Sequence, residues 1–324
     1  MQSLKLNIFG DYQMSSSYNK NQKILFKKLD FYSSIAFLYL NDSFKNSFIL
    51  KIADKKHKLI LDYLENNFKY VISKYEKVLE KDIKAQQERY IWTLWWQGED
   101  KMPQIVKACN KQLKQNLNGA KLILITKNNY KDYIELPDYI LEKQEKGYIS
   151  FAQLSDIIRF SLLEKYGGLW LDSTIYTSKP IPEEYFSYPF FSQHTKWTKT
   201  CFVQHNLWHG FIMGSQKGGK LVSFAKEMFF EYWKTHDVLI DYFMIDYIIM
   251  LAYNVFTDIK NEIDSLPYSS ERLYDLVNVL SKEYDEEYFN TLKNDCIFSK
   301  FDWHKTYKAN VKGKETFYSH IVNL

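Results

Sequence analysis

Asp156 and Arg159 stand three positions apart in the run SDIIRFSLLEKYGGLWLDST, residues 155 to 174, and Asp172 follows the last apolar residues of that run. On a helix, i,i+3 spacing puts the carboxylate and the guanidinium on one side, while Ile157, Ile158, Leu162 and Leu163 can pack inward. A carboxylate accepts hydrogen bonds and a guanidinium donates them, so the pair is suited to holding a polyhydroxylated ligand such as a sugar. Lys165, Tyr166, Gly167 and Gly168 end the helix, because a glycine just past the last turn can enter the left-handed conformation. Leu169, Trp170 and Leu171 then read as a short buried parallel strand, from whose carboxyl end Asp172, Ser173 and Thr174 emerge. In open α/β sheets that edge is where ligands bind.

The elements needed to hold these residues are legible on either side. Ile91 to Trp95 and Lys121 to Thr126 read as strands with a helix from Pro103 to Gln115 between them, a right-handed βαβ unit by default. Strand alternation sends Trp92 and Trp96 to one face and Trp95 to the other. Asp138 to Glu145 reads as a short helix, and Tyr176 to Pro182 as a hairpin region in which Pro180 and Pro182 are confined to edges or turns. In DYFMIDYIIMLAY, Asp241 and Asp246 are two carboxylates on a mostly apolar helix. Buried carboxylates without partners are unfavourable, so Asp246 is expected to line a site, whereas Asp241 can serve as an N-cap. The pattern predicts an α/β domain with a central, mostly parallel sheet over residues 88–324, preceded by a helical region over residues 1–87.

That first region carries Leu59, Tyr63, Phe68, Val71, Ile72, Tyr75, Val78 and Leu79 at helical spacing among many lysines. Such helices can lie on an anionic membrane surface, or pack on the second domain or a twin chain. The opening residues lack a charged leader with an apolar core, and the run Ile35 to Leu40 is too short to span a bilayer. A cytoplasmic protein, peripheral at most to the inner face of the membrane, is the expectation. The 43 basic and 39 acidic residues are too balanced to argue for nucleic acid. Cys109, Cys201 and Cys296 are odd in number and far apart, which fits buried thiols in a reducing compartment.

The Asp156–Thr174 stretch resembles the sugar-binding region of the capsular polysaccharide synthesis proteins, a family related to glycosyltransferase family 32. Ile91 to Gly98, IWTLWWQG, with Pro103 and Val106, is similar to that family's first strand and loop, and the resemblance spans roughly residues 88 to 324. It implies a GT-A-like glycosyltransferase that moves a sugar from a nucleoside diphosphate donor, UDP-linked, to a hydroxyl of a growing glycan or lipid-linked oligosaccharide, with retention of configuration. By the same resemblance Asp156 and Arg159 contact donor hydroxyls and Asp172 begins an Asp-X-Asp-type motif. Trp92, Trp96, Gln97 and Gly98 approach the nucleotide, and Ser173, Thr174 and Asn206 line the sugar sites, with Trp208 beside Asn206. Asp246 is expected at the acceptor or the reacting carbon. A Mn²⁺ or Mg²⁺ ion is implied at Asp172, aided by His320 in TFYSHIV. One departure is visible: the second Asp of the motif is replaced by Thr174, whose hydroxyl brings no formal charge to offset cation dehydration. That departure keeps open a non-catalytic sugar-binding protein of the same fold, and a protein-modifying glycosyltransferase toxin is a third reading. It argues against a phosphotransferase nucleophile, which needs a second Asp two residues on.

Overall fold

The computed structural model describes residues 27–29, 32, 47–78 and 88–324. At its centre is a five-stranded sheet in the order β2 (Lys121–Ile125), β1 (Tyr90–Leu94), β3 (Gly168–Leu171), β6 (Ile212–Ser215), β5 (Phe190–Ser192). β2 and β3 flank β1 in parallel, whereas β6 is antiparallel to both β3 and β5. Four of the five strands therefore point the same way, and the sheet is mostly parallel, as expected. The helix Gln104–Gln115 crosses between β1 and β2. The helix Phe151–Tyr166, capped by the Ser150 hydroxyl accepting from the Gln153 amide, leads into β3.

Gly168 starts β3 at φ +99°, and a Cβ there would sit 2.4 Å from the Tyr90 carbonyl oxygen. Only glycine allows β3 to lie this close against β1. Leu169, Trp170 and Leu171 are all buried, each contributing roughly 1.5–3 kcal/mol of hydrophobic stabilisation. Trp92 and Trp96 pack toward one hydrophobic cluster and Trp95 toward the other, so the alternation expected from strand geometry is what forms.

The expected hairpin after Thr174 does not occur. β4 (Ile175–Thr177) instead pairs antiparallel with β7 (Phe298–Lys300), in a register that sets Ile175 opposite Lys300. Pro180 and Pro182 cannot donate to a returning strand, so a distant one takes the open edge. This small second sheet, the helix Glu286–Asp295 and the C-terminal helix Phe317–Asn323 enclose the second cluster, which holds Val106, Cys109, Tyr176, Leu280, Phe301 and Phe317. All three cysteines are free and buried.

The region before β1 is helical where described, with helices Ser47–Asn67 and Lys69–Glu76. The first packs on the helix Met244–Val255 and the second on the helix Lys220–Thr235. Ile60, Leu64, Phe68, Val71 and Tyr75 thereby join the main core. The remainder of the expected helix, from Leu79 to Lys84, and the Ile35–Leu40 run lie outside the described residues. Among the described residues, no helix is long and apolar enough to cross a membrane.

Candidate active site

The carboxyl end of β3 gathers charges from three elements. Arg159, on the Phe151–Tyr166 helix, forms an ion pair with Asp156 through Nη1 and donates from Nη2 to Asp172, each at 3.1 Å. Trp170 lies two residues before Asp172, hence on the same strand face, and its indole N–H donates to Asp172 Oδ1 at 2.9 Å. The Arg159 guanidinium stacks 4.9 Å from the Trp170 ring. From β7, Lys300 Nζ reaches Asp172 Oδ2 at 2.9 Å and the Thr174 hydroxyl at 2.7 Å, and it rests 4.7 Å over the Phe211 ring. A turn closed by the Ile175 amide donating to the Asp172 carbonyl holds Ser173 and Thr174 in place.

Behind this cluster, Asp246 on the Met244–Val255 helix accepts from the Trp208 indole N–H at 2.8 Å. Burial pushes the Asp246 carboxyl up to about 7, opposed by the Trp208 N–H and by Arg159. Burial likewise pushes Asp156 up to about 7; Arg159 opposes this, while Asp172 and Asp246 add to it. Asp172 goes the other way. Burial alone would raise it, but Lys300, Arg159 and the Trp170 N–H together hold its carboxyl below the usual range. The site thus pairs one firmly ionised carboxylate with two that titrate near neutrality. Access is graded too: the side chains of Asp172 and Lys300 are 29% and 21% exposed, those of Asp156 and Arg159 only 11% and 5%.

The structure thus brings Asp156, Arg159, Asp172 and Thr174 into one constellation, with Asp246 close enough to help raise Asp156 and to be opposed by Arg159. Trp96, Gln97 and Gly98 follow β1 at its carboxyl end, with Trp96 half-buried against Tyr130 and Phe151 and Gln97 exposed. Other expectations need correction. Trp92 is fully buried, donates to the Gly167 carbonyl at 2.8 Å and stacks on Tyr90, so it is core and closed to a nucleotide. Asn206, unlike Trp92, is only half-buried, in a turn at φ +69° that asparagine tolerates and with its carbonyl accepting from the Thr195 amide, and it stays a candidate for the sugar sites. Trp208 is likewise fully buried, its ring in the core and its N–H spent on Asp246. Asp241 precedes the Met244–Val255 helix instead of lying on it, and its carboxylate accepts from the Phe243 amide at 2.9 Å.

His320 does not join Asp172. Its ring stacks 3.8 Å from that of Tyr284, and its Nδ1 faces Glu315 at 3.9 Å. Both Asp172 oxygens are already taken by cationic or N–H donors, and among the described residues no group of three His, Cys, Asp or Glu side chains could hold a metal ion. The donors present therefore do not fit the expected Mn²⁺ or Mg²⁺. Lys300 and Trp170 were not anticipated. Trp170 was detectable as the residue two before Asp172, whereas Lys300 lies 128 positions from its partner with no spacing to betray it.

No curated protein matches the chain significantly. Among solved structures, the PaToxG glycosyltransferase is similar at 12% identity over 67% of this chain and 83% of its own, with a TM-score of 0.37. A likeness that slight carries no argument about function. Residues 40–321 match the capsular polysaccharide synthesis protein family, so the match reaches back through the helices Ser47–Asn67 and Lys69–Glu76 and forward through the strand that delivers Lys300, and the chain belongs to that family.

Proposed function

We propose that this protein is a GT-A-like glycosyltransferase that moves a sugar from a nucleoside diphosphate donor, UDP-linked, to a hydroxyl of a growing surface or capsular polysaccharide. The observation that carries this reading is the meeting of Asp156, Arg159 and Asp172 at the carboxyl end of β3, the ligand-binding edge of such a sheet. Breaking the anomeric C–O bond leaves positive charge on the sugar and negative charge on the departing diphosphate, so catalysis rests on fixed charges placed where that charge develops. Asp172, ionised and accessible, meets the donor sugar. Arg159, buried between two carboxylates, positions Asp172 and Asp156, which narrows its expected role as a direct sugar contact. The acceptor oxygen attacks on the face the diphosphate leaves, its proton passing to the leaving phosphate, which gives retention without a covalent enzyme intermediate.

Exposed Lys51, Lys55, Lys58, Lys69, Lys74 and Lys77 support peripheral contact with an anionic inner membrane face, where a lipid-linked acceptor would lie. Thr174 in place of a second carboxylate favours the alternative of a sugar-binding protein without activity. Calorimetry with UDP and UDP-sugars, followed by donor hydrolysis and transfer assays, separates the two. Transfer that is lost in Asp172→Ala supports the enzyme; binding without turnover of any donor refutes it.

A further inference from the structure

We propose that Lys300, and not a divalent cation, neutralises the diphosphate of the donor, an inference that rests on the nucleotide-sugar reading above. A Mg²⁺ or Mn²⁺ ion wants about six oxygen ligands, of which the protein must supply at least one or two free carboxylate oxygens beside water and phosphate. Here the strand-end carboxylate presents Oδ1 to Arg159 and Trp170, and Oδ2 to Lys300. The position that would add a second carboxylate is a hydroxyl, Thr174 Oγ1, and it too accepts from Lys300, at 2.7 Å. A lysine ammonium has three N–H donors and no acceptor. Asp172 and Thr174 engage two of them, and with its side chain 21% exposed the ammonium can direct the third at a phosphoryl oxygen.

The placement of Lys300 is set by the fold. The β4–β7 register puts it opposite Ile175, and its own amide donates to the Leu273 carbonyl at 2.9 Å. The Phe211 ring lies 4.7 Å from its ammonium, and the Phe211 carbonyl accepts from the Asp172 amide, so lysine and aspartate are anchored to the same residue. Charge agrees with this role. Lys300 and Arg159 stand against one firmly ionised carboxylate, because Asp156 and Asp246 are pushed up to about 7. As pH falls below about 7 and these two take up protons, the cluster gains a positive excess available to an anionic leaving group.

The test is calorimetric titration of the full chain with UDP and with uridine, first in EDTA and then with added Mn²⁺. The inference expects UDP affinity in EDTA to lie within about twofold of that in Mn²⁺. Lys300→Met should weaken UDP by about tenfold or more and uridine by less than about twofold, with Lys300→Arg recovering most of the UDP affinity. UDP binding that tightens about tenfold or more with Mn²⁺ overturns the inference and leaves the glycosyltransferase reading standing; this arm uses the unaltered chain, so it holds even if the Met variant unfolds. A folded Lys300→Met that binds UDP as tightly as the parent overturns it as well. Absence of binding to UDP, GDP, ADP and CDP, with and without Mn²⁺, overturns the nucleotide-sugar reading and the inference with it.

Discussion

Where the Ser47–Asn67 helix meets the segment before Met244, Lys56 and Asp241 pair at 2.6 Å with side chains only 10% and 6% exposed, and His57 Nδ1 lies 2.8 Å from the Tyr247 hydroxyl. At the end of β3 the charges are chained instead: Asp156 to Arg159, Arg159 to Asp172, Asp172 to Lys300. In the helical joint each charge is matched once and sealed, and burial lowers His57 to about 4, keeping it neutral. In the chain, the last two members open to solvent. A sealed pair can set the docking angle of two helices and little else, whereas a chain with an open end can exchange a protein partner for a ligand. Buried charge alone therefore does not single out a candidate site; buried charge that leads outward does.

The sharpest way to break this contrast is to remove one carboxylate from each region. Asp172→Asn should lower transfer by about 10²–10³-fold or more, the scale of losing a preorganised electrostatic contact. Its stability should fall by less than that of Lys56→Met, because Arg159 keeps Asp156 and the asparagine carbonyl still accepts from the Trp170 indole, although the stabilisation from ionised Asp172 is lost. Lys56→Met should do the reverse, losing about 3–5 kcal/mol of stability on chemical denaturation by stranding Asp241, while the folded fraction keeps its turnover per molecule. The double variant Lys56→Met/Asp241→Asn should regain part of that loss, since asparagine still caps Phe243. Equal activity losses from Asp172→Asn and Lys56→Met would erase the distinction between the regions.

A smaller effect is expected behind the site. Trp208→Phe deletes the indole donor to Asp246 and should cost about 1–3 kcal/mol, read from the denaturation midpoint. Titration sharpens the comparison further. Asp156 and Asp246, raised to about 7, hold protons in the folded state that the unfolded chain has already released. Their contribution to stability is full below the ordinary carboxylate range and is lost as pH rises through about 7. The melting temperature should therefore decline between about pH 5 and 8, and Asp246→Asn should flatten the slope. Asp172 acts oppositely: its lowered value adds stability above the ordinary carboxylate range, lost as pH falls through the folded value. The smallest effect belongs to a pair outside both regions, Lys74 and Glu227, whose lysine side chain is 59% exposed. Lys74→Ala should shift stability by less than about 1 kcal/mol.

Much of the site's first half was readable in the chain. Asp156 and Arg159 share a helix and Asp172 follows it after a glycine turn and a four-residue strand, so their nearness is a consequence of local geometry. The β1 and β2 strands, the intervening helix and the sorting of Trp92 and Trp95 to opposite faces follow from the same short-range periodicities. Where the reading failed, contacts between distant segments decide. Trp92 and Trp208 have the composition of ligand-stacking rings, yet neighbours from other elements bury them. Tyr176 sits in a run with hairpin character, yet its strand partner is Ser299, more than a hundred residues away.

What the amino-acid order by itself determined is the placement of a guanidinium and two carboxylates along one helix–strand unit, because helical and strand periods act over a few residues. What only the tertiary structure decided is which cation meets Asp172 from outside that unit. Pairing of β4 with β7 sets Lys300 there and leaves His320 against Tyr284, and such pairing depends on edges, burial and register that no local spacing encodes.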